Sequence, residues 1–189
     1  MLHRCAALTV ALATTGALAA PALAADGPSV KGVGFTTTLP SGWSAHTRTT
    51  SGQKQYLWGS PGTKVNILGI PGRGGIGVTA LVQTNAALKR QLRGRVPTDP
   101  VALLVKIVGV PKGATHLRGL DKAHAATLAG VKAGTATLTY TYKKRSIVQT
   151  DVVALRGGKA YFVEMDVDKT GTAKGEAALK SIAAAWKFS

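Results

Sequence analysis

Ala136-Thr-Leu-Thr-Tyr-Thr-Tyr142 alternates strictly, with Ala136, Leu138, Tyr140 and Tyr142 on one side and Thr137, Thr139 and Thr141 on the other. A period of two is the signature of a β-strand with one buried face. Lys143-Lys144-Arg145 follows as a polar turn, and the β-branched run Ile147 to Leu155 returns. Arg156-Gly157-Gly158-Lys159 is a tight hairpin, since glycine accepts the positive φ that such turns require. Tyr161, Val163, Met165 and Val167 then point to the core, with Glu164 and Asp166 assigned to the outward face. The stretch predicts an antiparallel three-strand meander.

Working outward, an earlier strand is expected through Ala123 to Leu128. Two helices are expected before it. In the first, Leu81, Val82, Asn85, Leu88 and Leu92 recur at helical spacing, with Lys89, Arg90 and Arg93 in the last turns, where cations suit the helix dipole. The second opens on Thr98-Asp99-Pro100, carries the stripe Val101, Leu104, Val105 and Val108, and ends at Gly109 and Pro111. Phe35 to Leu39, Gln53 to Gly59 and Lys64 to Ile70 read as strands and Trp43 to Thr49 as an edge segment, punctuated by Pro40-Ser41-Gly42 and Ser60-Pro61-Gly62. An Ala-rich helix from about Thr172 to Ala184 closes the chain, with Leu179, Ile182 and Trp186 docking it on the sheet. The expected fold class is α+β, an antiparallel sheet flanked by helices. It forms one domain over residues 35–189, after a flexible Gly/Pro/Ser leader over 25–34.

Residues 1–24 read as a cleaved secretory signal: Arg4, an uncharged run from Ala6 to Ala20, and the small residues of Ala22-Leu23-Ala24. That run is shorter than the roughly 20 residues a membrane-spanning helix needs. Cys5, the sole cysteine, precedes the apolar run, on the wrong side for lipid attachment. The expected mature chain is therefore secreted or loosely wall-associated, with no disulfide, no thiolate chemistry and no transmembrane segment.

The 189-residue chain carries 24 Lys and Arg against 8 Asp and Glu, a net charge of +16. A charge of this size attracts polyanions, and it also keeps an exported protein soluble. Both readings stand at this level.

The opening Phe35-Thr-Thr-Thr-Leu-Pro-Ser-Gly-Trp43, the meander Tyr140-Thr-Tyr, Asp151-Val-Val and Gly157-Gly-Lys-Ala-Tyr-Phe162, and the closing Ala178-Leu-Lys-Ser-Ile-Ala-Ala-Ala-Trp-Lys-Phe188 resemble exported actinobacterial PsbP/Mog1-like proteins of the LpqN type. The resemblance covers most of residues 33–188. It implies the same sheet-and-helix fold and a non-catalytic accessory or binding role. Many such relatives are lipoproteins, and the position of Cys5 does not carry that tethering over.

Gly72-Arg73-Gly74-Gly75-Ile76-Gly77 matches G-x-G-x-x-G, between an expected strand and an expected helix. Pro71 and the lack of an apolar run before Asp99 speak against a dinucleotide. A simple anion held by glycine amides, Arg73 and a helix N-terminus remains one reading. His46, His116 and His124 show no metal-ligand spacing, and Asp166 with Asp168 is at best a weak cation pair. No cofactor is expected. The basic clusters are Lys89, Arg90, Arg93 and Arg95 at the first helix end, and Lys143, Lys144 and Arg145 at a hairpin tip. With aromatics so few, base stacking and sequence-specific nucleic-acid reading are not expected. The favoured function is a non-enzymatic envelope accessory protein, its basic surface engaging an anionic cell-wall polymer or an acidic envelope protein. The alternative is a small anionic-ligand protein or enzyme with its site near the Gly72–Gly77 loop.

Overall fold

A computed structural model describes residues 26–50, 53–66 and 69–189. The expected signal segment and Cys5 lie outside them. The first half of the chain forms β1 (Ser29–Gly32), β2 (Phe35–Thr38), β3 (Ser44–Thr50), β4 (Gln53–Gly59), β5 (Ile76–Thr84), α1 (Asn85–Leu92) and α2 (Pro100–Ile107). The second half forms β6 (Thr115–Arg118), β7 (His124–Leu128), β8 (Val131–Tyr142), β9 (Arg145–Arg156), β10 (Lys159–Asp168), α3 (Thr172–Ala184) and β11 (Lys187–Phe188).

The alternating stretch becomes the centre of an eight-stranded sheet in the order β3-β4-β5-β10-β9-β8-β6, with β7 also paired to β8. Its pairings are antiparallel. The hairpin between β9 and β10 turns on Gly157 and Gly158, both at positive φ. A smaller sheet, β1-β2-β11, lies beside it.

Each face of the large sheet is covered. On one, Val163, Met165 and Val167 meet Leu179 and Ile182 of α3 and the pair Phe35 and Trp186. Those two rings stack at 4.1 Å. On the other, Leu88 of α1 and Leu103 and Leu104 of α2 cover Ala136, Val153 and Ala160. Each of the large side chains removed from water here contributes roughly 1.5–3 kcal/mol. Farther along the same face, Ile70, Tyr140 and Ile147 form a separate apolar cluster. α2 starts as its sequence dictates: Asp99 Oδ1 accepts the Ala102 amide at 2.9 Å, and Pro100 occupies the first turn.

Several expectations are corrected. Within the leader expected over 25–34, Ser29–Gly32 pairs along β2 as β1, and the Gly27 amide bonds to the Leu39 carbonyl. The helix expected from Leu81 begins only at Asn85, because Ile76–Thr84 is strand β5, gripped by β4 and β10. Of the strand expected over Lys64 to Ile70, residues 67–68 lie outside the described residues, and Val65 makes only an isolated bridge to Pro71. On α2 the buried side runs through Leu103 and Leu104, and Val105 is left 46% exposed. Glu164 and Asp166 do not lie on an open solvent face: Asp166 is buried and Glu164 half-buried, because α1, α2 and the segment after α2 cover their side of the sheet.

Candidate functional site

Between the two apolar clusters of the helical face lies a cavity of about 340 Å³. Strand register builds its floor. Glu164 on β10 pairs with Asp151 on β9 and with Thr79 on β5, so the three side chains form one rung. Two residues on, Asp166 pairs with Gln149. Side chains that share a rung or lie two residues apart on a strand share a face. Three of the protein's 8 acids therefore meet on one side of the sheet.

Their contacts are specific. Tyr140 Oη donates to Asp166 Oδ1 at 2.9 Å. Gln149 Nε2 donates to Asp151 Oδ2 at 2.9 Å and to the Gly109 carbonyl at 3.2 Å, which ties the segment after α2 to the floor. Gln83 Nε2 reaches Gln91 Oε1 on α1 at 3.1 Å. The walls are apolar, with Leu81, Phe162, Ile107 and Val110 among them. Gly69, at φ +84°, backs onto the cluster. A methyl group there would lie 2.6 Å from Thr79 Oγ1, 3.2 Å from Glu164 Oε1 and 3.4 Å from Asp166 Oδ2, so only glycine fits.

Burial raises every acid of the group, because a carboxylate loses its hydration there. Desolvation pushes Asp151 up to about 7; the nearby Asp166 charge adds to the shift, and the Gln149 amide opposes it. Desolvation pushes Asp166 to about 6, held back by hydrogen bonds from Glu164 and Tyr140. Glu164 rises well above the carboxylate range, first by burial and then by its two acidic neighbours. Burial, then the Asp166 charge, also raises Tyr140. Where the two meet, Glu164 is the donor and Asp166 the acceptor. Among the described residues, no Lys, Arg or His lines the cavity.

These residues were missed because in-strand acids were assigned to solvent. The signal was there: Ile147, Val153 and Leu155 on one face and Val148, Val152 and Ala154 on the other are apolar, as in a strand covered on both sides. An acid on the next strand of such a sheet has no solvent face to occupy.

The sequence candidates fall elsewhere, and apart from one another. The Gly72–Gly77 loop leads into β5 rather than a helix, so it has no helix N-terminus. Its amides are used internally: Gly72 to the Lys64 carbonyl, Gly75 to the Gly72 carbonyl, Gly74 to Asp168 Oδ2 at 2.8 Å. Arg73 is exposed at its tip. Arg145 is not a free tip cation. Its Nε donates to Asp168 Oδ1 at 2.9 Å and its Nη1 to the Pro71 carbonyl at 2.9 Å. This also removes Asp168 from any cation pair with Asp166. Lys143 and Lys144 form the turn itself and are exposed. Lys89, Arg90, Arg93 and Arg95 are exposed on and after α1, which starts where the Asn85 amide meets the Gly158 carbonyl. That is the opposite end of β10, nine residues or roughly 30 Å away. The eight candidates thus form two patches and not one.

No protein-family model matches the chain, and no curated protein sequence matches it. Solved structures do. The cyanobacterial PsbP of Synechocystis sp. PCC 6803 superposes with a TM-score of 0.53 at 12% identity, covering 94% of this chain and 99% of that one. The fold is that of PsbP. A protein of Bacteroides thetaiotaomicron VPI-5482 superposes on this PsbP-like chain with a TM-score of 0.50 at 13% identity; the match covers 82% of this chain and 45% of that one, so this chain spans under half its length. LpqN, involved in cell envelope biogenesis of Mycobacterium tuberculosis, is similar at a TM-score of 0.46 and 14% identity over 82% of this chain and 83% of its own.

Proposed function

We propose that the protein is a secreted, non-catalytic accessory protein that holds an anionic polymer of the cell envelope on its basic surface. One observation carries the reading: where the acids are. Asp151, Glu164 and Asp166 are turned into the helical face, and Asp99 and Asp168 are ion-paired to Lys132 and Arg145. These are the two ion pairs among the described residues, and Asp26, Asp121 and Glu176 are the acids left exposed and unpaired. Turning three acids inward leaves fewer negative groups among the exposed lysines and arginines, which supports the reading. Its densest points are Arg73 with Lys143 and Lys144 at one end of the meander, and Lys89, Arg90, Arg93 and Arg95 toward the other. Polyanion contacts of this kind release counter-ions, so their strength falls steeply with salt.

The alternative, a small anion at the glycine loop, has weaker support because the loop amides already have acceptors. The test is retention on purified anionic wall polymer across a salt gradient. Strong retention at low salt, lost toward physiological salt and weakened by Lys143→Glu with Lys144→Glu, supports the reading. Absence of retention at low salt overturns it.

A further inference from the structure

The cavity on the helical face has a composition opposite to that of the whole chain. Basic residues outnumber acids three to one overall, 24 against 8, yet among the described residues the cavity is lined by Asp151 and Glu164 and by no base, with Asp166 two residues along β10. Buried carboxyls in folded proteins are ordinarily paired with a cation or fully hydrogen-bonded. Among the described residues no cation reaches them; Asp151 has the Gln149 amide and Asp166 the Tyr140 hydroxyl. A second observation is independent of the acids. Thr79 is only 7% exposed, lines the cavity, and its Oγ1 has no hydrogen-bond partner. An orphaned buried hydroxyl beside carboxyls that have hydrogen-bond donors but no cation marks a place where a further donor fits.

We propose that this cavity binds a small organic cation, an alkylammonium or alkylguanidinium whose charged head sits against Asp151, Glu164 and Thr79 and whose hydrocarbon body lies on Leu81, Phe162 and Val110. The head supplies N–H donors to the carboxyls and to the Thr79 hydroxyl, which accepts. The tail fits the apolar wall. The volume of about 340 Å³ lies at the lower end of small-molecule pockets, roughly 300–1,000 Å³. The glutamine side chains, Gln55 and Gln83 on the sheet and Gln91 on α1, add polar lining without adding charge. This site is separate from the basic surface and stands or falls without it.

Protonation couples to binding. The titratable groups facing the cavity floor are Asp151 from β9, Glu164 and Asp166 from β10, and Tyr140 from β8. β4, β5, α1 and the segment after α2 bring glutamines, Thr79 and apolar side chains, none of which titrates. A cation therefore binds best where the carboxyls ionise.

The experiment is titration calorimetry and thermal shift on the mature protein with n-butylammonium and n-butylguanidinium. Neutral n-butanol, butyrate and calcium chloride serve as controls, at about pH 8 and about pH 5. Expected is saturable binding of one or both organic cations, weakened about tenfold or more at the lower pH, with no response to butanol or butyrate. Asp151→Asn and Thr79→Val should each weaken it about tenfold. Asp151→Asn should also leave the free protein as stable or more stable at about pH 8, because a buried charge is removed; a merely structural carboxyl would show the reverse. Thr79→Val keeps the shape and serves if Asp151→Asn does not fold. An equal response to butanol, calcium saturating the site in place of the amines, no binding at all, or affinity unchanged in both variants overturns the proposal.

Discussion

Arg145 Nε donates to Asp168 Oδ1 at 2.9 Å, while the other oxygen of Asp168 accepts the Gly74 amide at 2.8 Å. One guanidinium–carboxylate pair, with side chains 19% and 15% exposed, thereby joins the start of β9, the end of β10 and the glycine loop. Charge-assisted hydrogen bonds in such a setting contribute about 1.5–3 kcal/mol, more than a surface pair does. Arg145→Ala should destabilise the protein by about 2 kcal/mol in urea unfolding. It should also speed amide exchange at Gly74 ahead of the rest of the sheet. Exchange unchanged at Gly74 would show that the loop does not depend on the pair.

The hairpin tip stores strain. Lys143 and Lys144 sit at φ 48° and 63°, in the left-handed region, as a two-residue type I′ turn requires. That conformation costs a residue with a side chain roughly 1 kcal/mol, and Asn-Gly is its natural occupant. Lys143→Asn combined with Lys144→Gly should raise stability by about 1 kcal/mol and weaken polymer retention. Thermal melting and salt-gradient retention read the two effects separately.

Stability should peak on the acid side of neutrality. Asp151 at about 7, Asp166 at about 6 and the raised Glu164 hold protons that the unfolded chain, with Asp near 3.8, has already released. The folded state therefore binds more protons between about pH 4 and 7, and stability falls as pH rises through that window. Asp99 and Asp168 act oppositely. The Ala102 amide, with Lys132, lowers Asp99, and Arg145 lowers Asp168, so their contribution is present above about pH 4 and lost as pH falls through their depressed values. The melting temperature should be higher near pH 5 than near pH 8, and fall again in stronger acid. Asp151→Asn should flatten the neutral limb.

Gly134 on β8 carries the start of α2. A methyl group there would lie 2.8 Å from the carbonyl carbon and oxygen of Pro100 and from Val101 Cα, all backbone atoms that cannot swing aside. Gly134→Ala should push α2 off the sheet and cost about 1–3 kcal/mol in chemical denaturation. A neutral outcome would mean that α2 is free to shift on its sheet.

What the sequence shows plainly is local. The β8–β9–β10 meander is legible because alternation and a Gly-Gly turn are short-range signals, and α3 because Leu179, Ile182 and, just past the helix, Trp186 repeat at helical spacing and are buried as expected. β5 is hidden for the same physical reason. A central strand covered on both faces need not alternate, so Leu81 and Val82 fell into register with Asn85 and Leu88 and imitated a helix. The cavity is not legible, because it depends on which strands neighbour β10. Thr79 and Glu164 are 85 residues apart in the chain and become partners only through the sheet order. Arg145 misled for a similar reason: its acceptors, Pro71 and Asp168, come from distant segments.

The acids on β9 and β10 also bear on how the chain finds its fold. A slip of one residue between neighbouring strands sends every side chain of the slipped strand to the opposite face. Moved in that way, Glu164 and Asp166 would leave Tyr140 and Gln149 and enter the aromatic interior around Phe35, Trp58 and Trp186. Carboxyls stranded there would find only the two unpaired indole N–H groups of Trp58 and Trp186 in place of water. Groups that weaken the native sheet near neutral pH therefore weaken the misaligned one far more, and they steer folding to a single alignment.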